Sequence, residues 1–134
     1  MIYLLDTSAL LVFFQGEKGV ERVAPLFEDS EDTLLLSTVS TVEFGRKLRD
    51  KGILPEERDR LLGQYLSLFN EIVPVDEAVA RGALQLLDRI SQRLPLADSL
   101  IAASAMLRGA CLVHKDKHLS GIPESVLSQL DLLG

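Results

Sequence analysis

Short apolar segments alternate with longer amphipathic segments along this chain. The first, Ile2–Leu5, is a continuous apolar run of the kind shown by a strand that is buried on both faces. Three further strands are predicted at Thr33–Ser37, Ile72–Val75 and Cys111–His114, and a short edge strand at Gln129–Leu133. Because these strands alternate with helices through short links, they predict a parallel sheet covered on both faces. The predicted fold class is therefore α/β, with three α/β/α layers and a sheet of four to five strands.

Capping residues and glycines mark the predicted helices between the strands. Thr7 and Ser8 are candidate N-caps for the apolar segment Ala9–Phe14. Ser40 and Glu43 have the spacing of a capping box, in which a serine at the N-cap is paired with an acid three residues later. The other predicted helices cover Val20–Glu28, Ser40 to about Lys51, Glu56–Phe69, Asp76 to about Arg93, and Pro95–Arg108.

The composition predicts one folded domain spanning residues 1–134. Hydrophobic residues make up 47% of the chain, which is enough to bury a core at this length. The single cysteine, Cys111, cannot form a disulfide within the chain, and this favours a reducing cytoplasm. The longest apolar stretch, Ala9–Phe14, is far short of the ~20 residues that a membrane-spanning helix needs. We therefore expect a soluble, cytoplasmic protein that does not contact a membrane.

The net charge of the chain is −6. Taken alone, this charge argues against sequence-independent binding of nucleic acid, which relies on a basic surface. It leaves room for a metal-dependent enzyme that acts on phosphates, because bound cations reverse the electric field locally.

Four acidic residues fall at one predicted edge of the sheet. Asp6 and Asp116 follow the first and fourth strands, and Glu43 opens the helix that leaves the second strand. Asp98 lies near the start of a helix that runs into the fourth strand through Gly109, so that it returns to the same edge. Open α/β sheets bind ligands at the carboxyl ends of their strands.

Each of these acids also has an ordinary structural explanation. Asp6 could cap a helix, Glu43 could complete the capping box, Asp98 could be stabilised by a helix dipole, and Asp116 could belong to a turn. Four uncompensated carboxylates at one edge would nevertheless repel each other, and a divalent cation would relieve the repulsion. Because carboxylate and water oxygens are the ligands that Mg²⁺ and Mn²⁺ prefer, the set predicts a metal site.

Basic residues and two histidines lie close to these acids in the sequence. The basic residues are Arg46, Lys47, Arg49, Arg89, Arg93, Lys115 and Lys117. Most are expected to be solvated surface charges, but together they could hold a phosphodiester backbone against a metal centre. Because no Cys/His cluster accompanies them, His114 and His118 are expected to be surface or turn histidines.

Four motifs resemble those of the PIN domain family. They are Leu5-Asp6-Thr7-Ser8-Ala9-Leu10, Ser40-Thr41-Val42-Glu43-Phe44, Leu96-Ala97-Asp98-Ser99-Leu100-Ile101-Ala102 and Leu112-Val113-His114-Lys115-Asp116. Each motif is weak alone, but four in this order across nearly the whole chain are fairly specific. Their order and the chain length are similar to those of the VapC ribonuclease toxins of bacterial and archaeal toxin–antitoxin pairs.

The resemblance implies a metal-dependent endoribonuclease with an acidic catalytic quartet. Asp6 and Asp98 would be the principal ligands of Mg²⁺ or Mn²⁺, and Glu43 and Asp116 would complete the site. Thr7 or Ser8 would supply a supporting hydroxyl beside the substrate, and Arg46 and Lys115 are predicted to contact it. The expected partners are an RNA substrate, a cognate antitoxin protein that covers the site, and a second copy of the chain in a homodimer.

The last motif departs from the family pattern. Many relatives read Thr-x-Asp-x-Asp there, whereas this chain has His114 in place of the threonine and His118 in place of the final aspartate. This change removes a fifth acidic residue and leaves the quartet whole.

Three other functions are compatible with parts of the pattern. The first is a PIN-type nuclease of RNA processing that has no antitoxin, and the second is a catalytically silent PIN-like binding module. The intact quartet argues against the silent module. The third is a phosphoacceptor receiver domain, which expects paired acids after its first strand, whereas Asp6 has no acidic neighbour.

Overall fold

The computed structural model describes all residues from Met1 to Gly134 and contains one five-stranded parallel sheet. Its strands are β1 (Ile2–Leu5), β2 (Thr33–Ser37), β3 (Glu71–Val73), β4 (Cys111–His114) and β5 (Gln129–Asp131). Its helices are α1 (Thr7–Gln15), α2 (Val20–Glu28), α3 (Thr38–Asp50), α4 (Pro55–Leu66), α5 (Glu77–Asp88), α6 (Leu96–Leu107) and α7 (Lys117–Ser120). The strand order is β3-β2-β1-β4-β5, and every neighbouring pair is parallel.

The register of the central strands brings their carboxyl ends to one edge of the sheet. Leu5 pairs with Leu36 of β2 on one side and with Val113 of β4 on the other. The backbone N–H of Asp6 extends this ladder by donating to the Val113 carbonyl oxygen at 2.8 Å. The segments that follow β1, β2 and β4 therefore begin side by side.

Alternate residues of the sheet enter two separate hydrophobic cores. On one face, Leu4 and Leu112 pack in a cluster with Ile101 of α6. On the other face, Leu5 and Val113 pack with residues of α1, α2 and α3. Both faces of the sheet are thus covered, and the predicted three-layer α/β/α fold is confirmed.

The central elements lie close to their predicted positions, and the differences are at their ends. Strands β1, β2 and β4 and helix α2 have the predicted bounds. Helix α5 ends at Asp88, about a turn before the predicted Arg93, because the chain must turn here to place Pro95 at the start of α6. The short helix α7 was not predicted. None of the helices has the combination of length and apolar character that is needed to cross a bilayer.

The predicted capping box at Ser40 and Glu43 is wrong. Helix α3 begins at Thr38, and its N-cap is Ser37, whose Oγ accepts a hydrogen bond from the Val39 N–H at 3.1 Å. The cap lies at the last residue of β2 because that strand runs directly into the helix. Ser40 and Glu43 are therefore inside α3, and their side chains are available for other contacts.

Candidate metal centre

A cleft of about 310 Å³ lies at the carboxyl edge of the sheet. It contains all four acids of the predicted quartet, which come from the ends of β1 and β4 and from helices α3 and α6. We call this space the acidic cleft; its lining residues are Asp6, Thr7, Ser8, Leu11, Glu43, Arg46, Lys47, Asp50, Asp98 and Asp116. Only one of the ten is hydrophobic, so the cleft suits a charged or strongly polar ligand.

Asp6 is held at the floor of the acidic cleft by hydrogen bonds. It is the N-cap of α1, and its Oδ2 accepts from the Ser8 N–H at 3.0 Å and from the Ser8 Oγ at 2.5 Å. The Ser8 Oγ in turn accepts from the Lys115 N–H at 2.9 Å, which ties the end of β4 to the start of α1. The structural and functional interpretations of Asp6 are thus compatible, since one carboxylate both caps the helix and faces the cleft.

Burial raises the pKa of Asp6 above its ordinary value. The two hydrogen bonds from Ser8 oppose the shift, and the negative charges of Asp116 and Glu43 add to it. The side chain is only 3% exposed, so little water reaches it to stabilise the ionised form.

Glu43 is oriented by two hydroxyl groups. Thr7 Oγ1 donates to Glu43 Oε1 at 2.5 Å and lies 2.8 Å from Ser40 Oγ. Because a threonine hydroxyl has one proton to donate, the Ser40 hydroxyl donates to Thr7. Ser40 is fully buried, so this chain of hydroxyls links the core of α3 to the cleft.

Asp98 and Asp116 face each other across the cleft. Asp98 is the third residue of α6, and Asp116 follows β4 and caps α7. Burial raises the pKa of Asp98 to about 7, and the charges of Asp116 and Asp6, with a hydrogen bond to Asp116, contribute in the same direction. The nearby His118 opposes the shift. Burial is therefore the main cause of the shift, and the negative charges of the neighbouring acids add to it.

The prediction that His114 is a surface or turn histidine is wrong. Its side chain is fully buried at the end of β4. The ring Nδ1 accepts from the Asp116 N–H at 3.2 Å, so Nε2 carries the proton and donates to Gln129 Oε1 at 2.8 Å. His114 therefore positions the backbone of Asp116, and the hydrogen bond to Gln129 of β5 determines which ring nitrogen of His114 carries the proton.

His118 is half-exposed, but it also contacts the acids of the cleft. Its Nδ1 lies 3.0 Å from Asp116 Oδ1 and 3.9 Å from Asp98 Oδ2. The sequence interpretation missed this contact because α7 was not predicted. Asp116 caps that helix by accepting from the His118 N–H at 2.9 Å, and this brings the imidazole back over the carboxylate.

Among the basic residues, only Arg46 and Lys47 line the acidic cleft. The Lys115 ammonium donates to the Lys18 carbonyl oxygen at 2.9 Å, so the structure places this predicted substrate contact outside the lining. Arg46 also borders a second space of about 290 Å³ between α3 and α4, which includes Arg49 and Arg58. We call this second space the arginine groove.

Asp50 also lines the cleft and was not predicted to do so. Its position could have been found from helical spacing, because Glu43, Arg46, Lys47 and Asp50 stand at i, i+3, i+4 and i+7 along α3 and therefore share one face.

The donor set fits a hard divalent cation. The carboxylates of Asp6, Glu43, Asp98 and Asp116 line one small cleft. Burial raises the pKa of Asp6 and of Asp98, and the charges of neighbouring acids raise both further. Oxygen-rich sites with water access are those that Mg²⁺ and Mn²⁺ occupy.

Comparison with known proteins identifies the family. Residues 3–124 match the model of the PIN domain. This chain belongs to the PIN domain family, as its four sequence motifs predicted. No curated protein matches the chain.

Several solved structures share the fold. A chain of VapBC-1 from nontypeable Haemophilus influenzae is 22% identical, with a TM-score of 0.75 over 100% of both chains. A chain of VapBC2 from Rickettsia felis, bound to a DNA fragment from their promoter, is 20% identical, with a TM-score of 0.74 over 98% of both chains. A chain of a toxin–antitoxin complex from Klebsiella pneumoniae is 24% identical, with a TM-score of 0.71 over 97% of both chains. At these identities the likeness establishes the fold.

Proposed function

We propose that this chain is a metal-dependent endoribonuclease and the toxin component of a type II toxin–antitoxin pair, formed by a single PIN domain of residues 1–134. The observation that carries the proposal is the convergence of Asp6, Glu43, Asp98 and Asp116 in one cleft of a PIN fold. Four carboxylates from four separate elements are not needed to hold the sheet together. Their convergence leaves charge in the cleft uncompensated, and a cation would correct this.

Asp6 and Asp98 are the principal ligands of Mg²⁺ or Mn²⁺ in this proposal, with Asp116 and Glu43 completing the site. Such an ion, when bound, lowers the pKa of a water molecule and stabilises negative charge on a phosphate. Ser8 fixes the Asp6 carboxylate in the cleft, and both of its hydrogen bonds favour the charged form against the effect of burial. The backbone of Asp116 is held in place because its N–H donates a hydrogen bond to the His114 ring.

Glu43 orients the attacking water in this proposal. Its Oε1 is fixed by Thr7, which leaves the second carboxylate oxygen free to accept a hydrogen bond from a water molecule. The cleft is open, so it can admit a polynucleotide strand. The predicted roles of Thr7 and Ser8 at the substrate thus become indirect, because each hydroxyl already hydrogen-bonds a carboxylate.

Arg46 is the basic residue best placed to hold the RNA backbone. It belongs to both the acidic cleft and the arginine groove, so a strand with its scissile phosphate at the acids would pass its next phosphates along Arg49 and Arg58. Arg49 and Arg58 form ion pairs with the neighbouring Asp50 and Asp59, whereas Arg46 forms none. Arg46 therefore provides local positive charge in a chain whose net charge is −6.

The proposed antitoxin partner rests on the structural relatives. The VapBC and toxin–antitoxin complexes named above contain chains that match this one over nearly their whole length. We propose that a cognate antitoxin covers the acidic cleft, and that two copies of the chain associate in the complex.

The test of the proposed function is a cleavage assay on purified protein freed of metal with EDTA. We expect RNA to be cut at internal positions after Mg²⁺ or Mn²⁺ is added, and single-stranded DNA of the same sequence to be left intact. Asp6→Asn should abolish cutting, whereas Asp88→Asn, the same change at an exposed aspartate of α5, should leave it unchanged. Metal-independent cutting, or cutting by Asp6→Asn at the wild-type rate, would contradict the proposal.

A further inference from the structure

The ring of His118 lies against two acids of the proposed metal centre. Its Nδ1 is 3.0 Å from Asp116 Oδ1 and 3.9 Å from Asp98 Oδ2. We propose that His118 is a nitrogen ligand of the metal centre and that it makes the site prefer Mn²⁺ to Mg²⁺. This inference rests on the proposed function, since it needs a cation in the acidic cleft.

The spacing of the donor atoms suits a shared ion. One ligand atom from each of Asp98, Asp116 and His118 lies within 4.8 Å of the other two. Adjacent ligands of an octahedral ion stand about 3 Å apart when metal–ligand distances are about 2.1 Å. The distance from His118 Nδ1 to Asp116 Oδ1, 3.0 Å, is close to this value, and the distance to Asp98 Oδ2, 3.9 Å, is slightly wider. A small movement of the exposed ring would therefore bring all three atoms to one ion.

The backbone holds the ring in this position. Asp116 and His118 stand at the N-cap and the second residue of α7, and the Asp116 Oδ1 accepts from the His118 N–H. The same Oδ1 faces the ring Nδ1, so without metal the ring donates its Nδ1 proton to this oxygen. When an ion binds Nδ1, the proton leaves this nitrogen, and the neutral ring carries its single proton on Nε2 instead.

A nitrogen donor changes the metal preference of an otherwise oxygen-only site. Mg²⁺ is a hard ion that favours carboxylate, carbonyl and water oxygens, whereas imidazole suits transition metals. A site of carboxylates alone discriminates weakly between Mg²⁺ and Mn²⁺, and one imidazole raises affinity for Mn²⁺ without helping Mg²⁺.

Calorimetric titration of Mn²⁺ and Mg²⁺ into the metal-free full chain tests the preference. We expect the ratio of Mn²⁺ affinity to Mg²⁺ affinity to fall at least about tenfold in His118→Asp. Even residues that only hydrogen-bond to metal ligands contribute about 10–100-fold to metal affinity. Lys117→Ala, a change at the exposed neighbour on the same helix, should keep the wild-type ratio. An unchanged ratio in a folded His118→Asp protein would overturn the inference.

Pulsed electron paramagnetic resonance of the wild-type protein with bound Mn²⁺ gives a test that needs no variant. A directly bound imidazole produces a ¹⁴N coupling, which we expect in the wild type and in Lys117→Ala and not in His118→Asp. Bound Mn²⁺ without this coupling would refute the role of His118 and leave the acidic metal centre standing. Failure of the wild type to bind Mn²⁺ or Mg²⁺ at all would refute both proposals.

Discussion

Replacing Asp98 by asparagine removes one negative charge from the acidic cleft and hardly changes the size of the side chain. The carboxyl group of Asp98 has a pKa of about 7, which burial and the neighbouring acids raise from 3.8. In the metal-free protein at pH 8, the ionised carboxylate is therefore held in an unfavourable environment. We expect Asp98→Asn to make the metal-free protein more stable, although it removes a metal ligand.

The magnitude follows from the pKa. Each unit corresponds to about 1.4 kcal/mol, so the rise from 3.8 to about 7 corresponds to about 4 kcal/mol in a dry site. The cleft is open to water, which screens the repulsion, and we expect about 1–2 kcal/mol of added stability. In a chain of this length that is a rise of about 3–8 °C in the melting temperature.

The pH dependence has a definite sign. Below pH 4 the carboxyl group is protonated in both the folded and the unfolded chain, so Asp98 costs nothing. Between pH 4 and pH 7 the unfolded chain loses its proton while the folded protein keeps it, and the free energy of unfolding of the wild type falls. Above about pH 8 both states are ionised and the cost is constant. The extra stability of Asp98→Asn relative to the wild type should therefore increase from pH 4 to pH 8 and stay constant above that.

The assay is a series of melting curves in EDTA from pH 4.5 to pH 8.5, with Asp88→Asn as the matched control. Saturating Mn²⁺ should reverse the order, because metal at ~100 times its dissociation constant adds about 2.7 kcal/mol to the wild type and much less to the variant. A variant no more stable than the wild type at pH 8, or equally favoured at pH 4.5, would refute the electrostatic reasoning.

Three further changes separate the roles of the neighbouring side chains. Glu43→Gln should keep the wild-type melting temperature and lose nearly all RNA cleavage, because an amide oxygen still accepts from Thr7 but orients water poorly; normal cleavage would remove Glu43 from the site. Ser8→Ala should cost about 1–3 kcal/mol in chemical denaturation and weaken Mn²⁺ binding, because it leaves the Lys115 N–H without an acceptor and Asp6 with only the backbone N–H of residue 8 as a donor. Arg46→Ala should raise KM for RNA more than it lowers kcat, whereas Arg81→Ala on α5 should change neither; equal effects of the two would remove the arginine groove from the substrate path.

The parts of the fold that depend on burial could be predicted from sequence. Strands β1, β2 and β4 are apolar on both faces because helices cover both sides of the sheet, so their bounds are visible as uninterrupted runs. Once those strands are parallel, Asp6 and Asp116 must fall at the same edge. The cleft confirms that convergence, and the PIN domain match confirms the family.

The parts that depend on local hydrogen bonding could not be predicted in this way. The serine at 37 and the serine at 40 are both plausible N-caps, and only the end of β2 decides between them. His114 can be buried because the side chain of Gln129, from a strand 15 residues later, accepts a hydrogen bond from its ring. The contact of His118 depends on α7, which is a single turn and has no periodic pattern to detect.

The location of a bound ion tests the central claim most directly. Crystals grown with Mn²⁺ should give an anomalous difference peak in the acidic cleft, within bonding distance of carboxylate oxygens from Asp6, Asp98 and Asp116. Crystals of Asp98→Asn grown at the same Mn²⁺ concentration should give a much weaker peak or none. An empty cleft in the wild type, with Mn²⁺ absent or bound elsewhere on the surface, would contradict the assignment of these three acids to a metal centre.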